Sequence, residues 1–182
     1  MRIDIKQRKI TLTSTYNIFV DNEERYKAQK KIFRLFAEIP ITDINSGEVK
    51  LRIKKRFFFI KPHYSFYRGN DILEFINVDF WRGHYQCTDS LNVYDIYANT
   101  GLRFSIFKND VQIAWFSKNS VAVFAGDEYV MSADHNCDVE LLSAFCITID
   151  HHLFRRNRGM VNFDFGRPGM VKRQFDESWQ PK

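Results

Sequence analysis

A chain of 182 residues is long enough for one well-buried domain, and an aromatic content of 16%, including 18 Phe, excludes disorder of the whole chain. The net charge of +5 comes from the two flanks, since residues 1–61 carry 15 Lys and Arg against 7 Asp and Glu, whereas residues 62–154 carry 5 against 12. A basic flank fits an anionic partner, and it fits equally well the soluble outer face of a β-sheet.

The lack of a readable targeting signal and the scattered cysteines predict a cytoplasmic location. The opening MRIDIKQRK has no apolar run of the kind that a secretory signal needs, and no stretch is apolar enough to predict a membrane-spanning helix. Three scattered cysteines without CxxC spacing predict free thiols in a reducing compartment. We therefore expect a cytoplasmic protein, which would be peripheral at the membrane if its basic flank binds lipid.

The region from Ile3 to Val130 is predicted to form antiparallel strands, because short alternating runs of apolar and polar residues are separated by turn residues. The first three turn signals centre near Asn22, Ser46 and Asn70, which are 24 residues apart. This spacing is that of a repeated hairpin, and its continuation to Val130 predicts ten to twelve strands.

The stretch Asp138–Phe154 is predicted to be one helix, with Asn136 as its N-cap. Between Leu141 and Ile149 the polar residues are two short hydroxyls, so the helix should be buried on all sides. A sandwich with a helix on one face would require a polar stripe, which the sequence lacks. The predicted fold is therefore mainly β: a closed antiparallel barrel of about twelve strands around one central hydrophobic helix. The predicted core residues of this helix are Leu141, Leu142, Phe145 and Ile149.

Two regions follow from this pattern. Residues 1–158 should form the barrel with its axial helix, and residues 159–182 should form a C-terminal extension that is packed on the barrel or partly disordered. The extension is rich in aromatic residues, which suit either packing or the recognition of a protein partner. These residues are Phe163, Phe165, Phe175 and Trp179.

Three stretches also carry a likeness to a known family. They are KQRKITLTSTYNIFVDNEERYKAQKKIF, VKLRIKKRFFFIKPHYSFYRGNDILEF and GDEYVMSADHNCDVELLSAFCITIDHH. In order and spacing they resemble the LURP-one-related family, within the superfamily of tubby C-terminal domains and phospholipid scramblases, over about residues 3 to 154. The resemblance implies a twelve-stranded barrel around a central hydrophobic helix. Tubby-type members bind phosphoinositide headgroups on a basic outer surface, whereas this sequence lacks the scramblases' Pro-rich leader, cysteine cluster and final membrane-spanning helix.

Catalytic and metal-binding patterns are absent from the sequence. There is no GxxxxGK[ST], GxGxxG, HxxxH or HExxH motif, so we expect neither an enzyme nor a cofactor or metal. A triad of Ser143, Asp150 and His151 can be drawn, but no nucleophile elbow surrounds Ser143. Asp150, near the end of a buried helix, is expected to reach the barrel mouth or to meet a cation such as a flanking Arg.

The basic stretch Lys50–Lys61 contains six Lys and Arg and no acid. Its alternating cations predict an outward row on one strand that could bind phosphate groups. The candidate anion-binding residues are Arg52, Lys54 and Arg56 in this row, with Lys27, Lys30, Lys31 and Arg34 beside it. We therefore expect a non-enzymatic module that docks on anionic phospholipid or phosphoinositide headgroups. The alternative is a protein-interaction scaffold that uses the aromatic C-terminal tail, and binding of nucleic acid is not expected.

Overall fold

A computed structural model describes residues 1–10, 13–30, 38–56, 63–79, 82–119, 126–153 and 172–182. The predicted residues Lys31, Arg34, Phe163 and Phe165 lie outside these ranges. The described chain forms twelve β-strands and one α-helix. These elements are β1 (Arg2–Ile10), β2 (Thr13–Val20), β3 (Glu23–Gln29), β4 (Glu38–Asp43), β5 (Val49–Arg56), β6 (His63–Arg68), β7 (Asp71–Asp79), β8 (His84–Thr88), β9 (Val93–Asn99), β10 (Arg103–Lys108), β11 (Val111–Asn119), β12 (Glu128–Ala133) and α1 (Val139–Leu153).

The strands form a closed barrel in which each strand pairs antiparallel with its neighbours in sequence, and β12 returns to pair with β1. The closing register runs from Arg2 opposite Ser132 to Lys6 opposite Glu128. Closure pairs the two strands that would otherwise be edges, so none of the twelve described strands is left as a free edge for pairing with another chain. The predicted closed barrel of about twelve strands is confirmed.

Tight turns connect the strands at the end of the barrel where α1 begins. The β2–β3 turn has positive φ angles at Asp21 (48°) and Asn22 (72°), and the β10–β11 turn has them at Asn109 (48°) and Asp110 (70°). Two consecutive positive φ angles define the type I′ hairpin turn, whose twist matches that of the strands and which Asn and Asp tolerate. The repeated Asp and Asn turn signals in the sequence therefore have a direct backbone cause.

The helix α1 fills the barrel. Every residue from Leu141 to Asp150 is buried, so the helix has no wet face over this span. The ring of Phe145 lies 6.0 Å from that of Phe66 on β6, 5.9 Å from that of Phe75 on β7 and 5.6 Å from that of Tyr94 on β9, measured between centroids. The predicted central helix is thus confirmed. In the part of the chain that the structure describes, no helix has the length and hydropathy required to cross a membrane.

The start of α1 differs from the prediction. Asp138, and not Asn136, caps the helix, because the Oδ1 atom of Asp138 accepts a hydrogen bond of 2.9 Å from the backbone N–H of Leu141. The carboxylate of Asp138 also accepts two hydrogen bonds from the guanidinium of Arg68 on β6. Asp138 is the N-cap because its side chain reaches the backbone N–H of Leu141, which has no partner within the helix. Strand β6 also places Arg68 beside Asp138, and this proximity is not apparent from the sequence.

Candidate functional site

The predicted basic row lies on the outer face of β5. Arg52, Lys54 and Arg56 alternate with the core residues Leu51 and Ile53, so the three cations share the outward face. Arg56 is exposed, whereas Arg52 and Lys54 are half-buried. The β-strand period of two explains this arrangement, and neighbouring strands determine which of the three charges remain available to a ligand.

Two of the three cations already have carboxylate partners. The Nη1 atom of Arg52 lies 3.1 Å from Oε1 of Glu38 on β4, and the Nη2 atom of Arg56 lies 3.4 Å from Oε1 of Glu74 on β7. Lys54 instead stacks over the ring of Tyr67, 4.5 Å from its centroid, and it forms no ion pair among the described residues. Of the row, Lys54 is therefore the cation most available to an anion.

The remaining predicted cations lie two strands away. Lys27 points outward from β3, where it is exposed and faces Thr42 of β4. Because β4 lies between β3 and β5, Lys27 and Arg52 belong to the same outer surface without being adjacent. Lys30 directly follows β3, and its backbone N–H donates to the carbonyl oxygen of Ser14 at 3.2 Å.

A second group of cations on this surface was missed in the sequence. Lys6 and Arg8 point outward from β1, and Lys6 is opposite Asn17 of β2, which in turn is opposite Lys27 of β3. Since strands lie about 4.8 Å apart, the backbones of Lys6 and Lys27 are about 10 Å apart. We call Lys6, Arg8 and Lys27 the β1–β3 basic cluster. In the sequence, the i, i+2 spacing of Lys6 and Arg8 indicates that both side chains lie on one face of a strand. The position of Lys27 near them depends on the pairing of β2 with β1 and β3.

The β1–β3 basic cluster differs electrostatically from most other basic sites on the barrel. Within the described ranges, its three residues are exposed and form no ion pair. Most other described cations, by contrast, face an acid. Examples of such pairs are Arg2–Asp4, Arg68–Asp138, Arg103–Glu177, Lys118–Asp127 and Arg173–Asp110. An anion that approaches β1–β3 therefore meets cations that form no ion pair among the described residues, although the exposed Glu128 of β12 lies opposite Lys6.

Polar groups also gather around Asp150, inside the barrel near the end of α1. The Oδ2 atom of Asp150 accepts hydrogen bonds from Tyr16 (2.7 Å) and from Nε2 of Gln7 (3.1 Å), while Oδ1 accepts one from Tyr129. Burial, followed by the neighbouring Asp150, raises the pKa of Tyr129 well above its usual value, so this phenol keeps the proton that it donates. Among the described residues, two phenols and an amide satisfy the carboxylate. The flanking Arg155 and Arg156 lie outside the described residues, so the expected cation partner stays a prediction.

The arrangement around α1 does not form a hydrolytic triad. Ser143 is fully buried, and its hydroxyl has no hydrogen-bond partner among the described residues. The Nδ1 atom of His151 lies 3.4 Å from the hydroxyl of Tyr64, and Asp150 is engaged by Tyr16, Gln7 and Tyr129 as described above. Within the described ranges, no three His, Cys, Asp or Glu side chains are grouped to hold a metal ion.

The last eleven residues lie on the outer face of the barrel between β8 and the end of β12. Phe175 packs edge-on against Trp115 of β11, with centroids 5.6 Å apart, and the Nε1–H of Trp179 donates to the carbonyl oxygen of Gln112 at 3.2 Å. Both aromatic side chains are half-buried. The described half of the predicted aromatic recognition element is thus engaged with the barrel of its own chain.

Comparisons with known proteins add no identification. No family model matches this chain, and neither the curated proteins nor the solved structures contain a match. Two outer faces are therefore the candidates for a function. The face of β1–β3 carries cations that form no ion pair among the described residues, and the other face is covered by residues 172–182.

Proposed function

We propose that the protein is a non-enzymatic, tubby-like binding module that docks on anionic phospholipid headgroups through the outer face of β1–β5. The observation that carries this proposal is the β1–β3 basic cluster, whose exposed cations have no carboxylate partner among the described residues. Lys54 extends the same face. The resemblance to the LURP-one-related family, whose superfamily includes tubby-type members that bind headgroups on a basic outer surface, remains part of the proposal.

The rigidity of the surface supports this use. Lys6 and Arg8 project from β1 and Lys27 projects from β3, and both strands are hydrogen-bonded to β2, so the backbone positions of the three cations are fixed before a ligand arrives. The ammonium of Lys6 lies 5.2 Å from the ring centroid of Phe19, which supports the apolar stem of this lysine. Preorganised cations lose little conformational entropy when they bind phosphate groups, and each basic residue near an anionic membrane contributes about 1 kcal/mol.

The predicted row contributes less than its sequence suggests. Glu38 and Glu74 neutralise Arg52 and Arg56, so an anion must compete with a carboxylate at both positions. We therefore place the main binding surface at Lys6, Arg8 and Lys27, with Lys54 at its border.

Sedimentation with vesicles tests the proposal. The wild-type protein should bind vesicles that contain phosphatidylserine and should ignore vesicles of phosphatidylcholine alone. Replacing Lys6 and Lys27 by Gln removes about 2 kcal/mol of attraction, which weakens binding roughly 30-fold. The matched control replaces Lys108 and Lys172 by Gln, because these two lysines also form no ion pair among the described residues but lie away from β1–β5, Lys108 on β10 and Lys172 against His84 of β8. This control removes the same charge and should bind almost as the wild type does.

Two outcomes would contradict the proposal. Equal losses in the two double variants would mean that net charge, and not this face, governs binding. Binding that persists at about 0.5 M salt would be inconsistent with exposed cations, since the screening length then falls to about 4 Å. Replacing Arg52 and Arg56 by Gln should weaken binding less than replacing Lys6 and Lys27, because both arginines are already paired.

A second candidate function, a protein-interaction scaffold, is supported by the face that the C-terminal residues cover. Phe175 and Trp179 contact the barrel, so they cannot recognise a partner unless they are released. The barrel surface beneath them offers an indole, a guanidinium and a carbonyl oxygen to these side chains, and these contacts support the second candidate.

A further inference from the structure

Residues 172–182, which we call the C-terminal segment, cross the outside of the barrel from β8 to the end of β12. At the start of the segment, the Nζ atom of Lys172 lies 3.2 Å from Nδ1 of His84 on β8. At its end, the backbone N–H of Lys182 donates to Oδ1 of Asp134 at 2.7 Å, and the N–H of His135 donates to the carbonyl oxygen of Lys182 at 2.9 Å. The segment therefore traverses five strands without joining the sheet.

The side chains of the C-terminal segment alternate in direction. Arg173, Phe175 and Trp179 are half-buried, whereas Gln174 and Ser178 between them are exposed. From Arg173 to Phe175 this alternation is that of an extended chain. A turn follows at Glu177 and Ser178, where the N–H of Trp179 donates to the carbonyl oxygen of Asp176 at 3.4 Å. Glu177 keeps the same phase: although exposed, it forms an ion pair with the barrel. The contacting pattern is thus Arg-x-Phe-x-Glu-x-Trp.

The first two contacting residues are held by charge and by aromatic packing. The guanidinium of Arg173 stacks 3.6 Å from the ring centroid of Phe107, and its Nη1 atom lies 2.9 Å from Oδ1 of Asp110. The ring of Phe175 lies between Trp115 and the guanidinium of Arg103, which is 4.4 Å from its centroid. An aromatic side chain between an indole and a guanidinium gains both burial and a cation–π interaction.

The next two contacting residues meet a groove that is only partly filled. Glu177 lies 2.5 Å from Nη1 of Arg103, and Trp179 donates to the carbonyl oxygen of Gln112. The Nε2 atom of Gln112 is buried and has no acceptor among the described residues. An open pocket of about 200 Å³ remains between Trp115 and the segment. We call the surface formed by Arg103, Phe107, Gln112 and Trp115 the β10–β11 groove.

We propose that the β10–β11 groove is a peptide-binding site for partner segments of the form Arg-x-aromatic-x-acid-x-aromatic, and that the C-terminal segment occupies it as an internal ligand. The chain's own segment supplies the chemistry of the partner, since its residues show what each part of the groove accepts. Asp110 and Phe107 accept the arginine, Trp115 accepts the first aromatic residue, and Arg103 accepts the acid.

A partner peptide could replace the internal ligand, because the internal ligand is held mainly by side-chain contacts. Between Lys172 and Trp179 the described contacts to the barrel are made by side chains, so the segment can leave without breaking a strand pair. Because the segment belongs to the same chain as the groove, its effective concentration there is on the order of 1 mM. If the free segment binds with a dissociation constant of about 10–100 μM, the tethered one weakens the binding of a competing peptide about 10- to 100-fold.

The test uses the full chain and a labelled peptide, KRQFDESWQPK, that reproduces the C-terminal segment. Replacing Phe175 and Trp179 by Ala in the protein should release the internal ligand. Fluorescence anisotropy should then show that this double variant binds the peptide at least about tenfold more tightly than the wild type. A peptide of the same charge in which the Phe and the Trp are Ala is the matched control, and it should bind neither protein.

Further variants distinguish specific binding in the groove from nonspecific binding of the peptide. Adding Arg103→Glu to the double variant should abolish peptide binding, and a peptide with Arg in place of Glu177 should restore part of it. Should the double variant fail to unfold cooperatively, Glu177→Arg in the full chain replaces it, because Glu177 is exposed and contacts only Arg103 among the residues described. This single variant should also bind the peptide more tightly than the wild type.

The proposal is overturned if the released variants bind no peptide, or if they bind the control peptide equally well. A wild-type dimer that grows with concentration, together with a monomeric double variant, would show that the groove takes the C-terminal segment of a second copy. That result would overturn the assignment to a separate partner.

Discussion

Asp138 precedes the axial helix and Asp150 lies near its other end, and the two carboxylates have opposite surroundings. The side chain of Asp138 is 31% exposed and pairs with the guanidinium of Arg68 at the barrel rim. Asp150 is 1% exposed, and its partners are two tyrosine hydroxyls and the amide of Gln7. One end of the helix uses a charged partner in contact with water, whereas the other uses neutral donors in the interior.

The helix dipole makes this difference instructive. A carboxylate at the helix N-terminus is favoured by the positive end of the dipole, so Asp138 needs little further support. Asp150 lies near the negative end, and its burial removes hydration, so both effects oppose an anion there. Three converging hydrogen bonds offset this cost, since bonds to a charged acceptor contribute about 1.5–3 kcal/mol each. A buried anion is therefore held by geometry that depends on three separate parts of the chain.

The largest contrast is expected when each aspartate is replaced by Ala. Asp150→Ala should lower the free energy of unfolding by about 3–5 kcal/mol, because it leaves two phenols and an amide buried without their acceptor. Asp138→Ala should lower it by about 1–2 kcal/mol, the usual value of an N-cap. Urea denaturation of both variants measures the two changes. Equal losses would show that the two ends do not differ energetically.

Asp150→Asn serves as the control for shape. Asn keeps the volume of Asp and one acceptor oxygen, so it should cost less than Ala while still leaving one tyrosine hydroxyl without a proper acceptor. An Asn variant as unstable as the Ala variant would mean that charge, and not the number of acceptors, stabilises this cluster.

Two glycines at opposite ends of the barrel sharpen the comparison. Gly126 has a φ of +96°, and a Cβ atom there would lie 1.9 Å from the carbonyl oxygen of Gln7, whose side chain contacts Asp150. Gly47 has a φ of +70°, but a Cβ atom there would meet nothing within 4 Å. Gly126→Ala should therefore cost about 2–4 kcal/mol, from backbone strain and from displacement of Gln7. Gly47→Ala should cost about 1 kcal/mol, from strain alone.

Thermal and urea unfolding of the two glycine variants provide the measurement. If Gly47→Ala destabilises the protein as much as Gly126→Ala, the close approach to Gln7 has no energetic consequence. The Asp150 end of the barrel would then be no more tightly packed than the end with the tight turns.

The sequence predicted what depends on local pattern. The all-round apolar run between Leu141 and Ile149 predicted a buried central helix, and the Asp and Asn turns predicted many short hairpins, because side-chain periodicity and positive φ preferences act within a few residues. The neutral partners of Asp150 were not predictable in the same way. Gln7 and Tyr16 are 143 and 134 residues away from it, and only barrel closure brings them near.

The candidate site shows the same limit. Periodicity placed Arg52, Lys54 and Arg56 on one face, as the structure does. It could not show that Glu38 and Glu74 neutralise two of them, because those acids come from strands on either side. Charge on a strand can be read from a sequence, but the availability of that charge depends on pairing between strands.

The smallest expected effect concerns the pH dependence at the rim. Burial acts to raise the pKa of Asp138, but hydrogen bonds from Arg68 and from the Leu141 N–H lower it by more, so the net pKa lies below the usual 3.8. A carboxylate whose pKa is depressed by folding adds stability that is fully present above its unfolded pKa and is lost as the pH falls through its folded pKa.

Asp138→Asn keeps the N-cap oxygen and removes the charge, so at neutral pH it should lower the free energy of unfolding by only about 0.5–1 kcal/mol, since Arg68 is 37% exposed. Urea unfolding between about pH 7 and pH 2 should show this difference shrinking to nearly zero at the acid end. Arg68→Gln removes the other half of the pair, so it should be less stable than the wild type at neutral pH, and this difference should also shrink over the same acid range. A gap between wild type and Asp138→Asn that stays constant with pH would mean that Asp138 stabilises the helix by its shape alone, and the charged end of α1 would then resemble the neutral one.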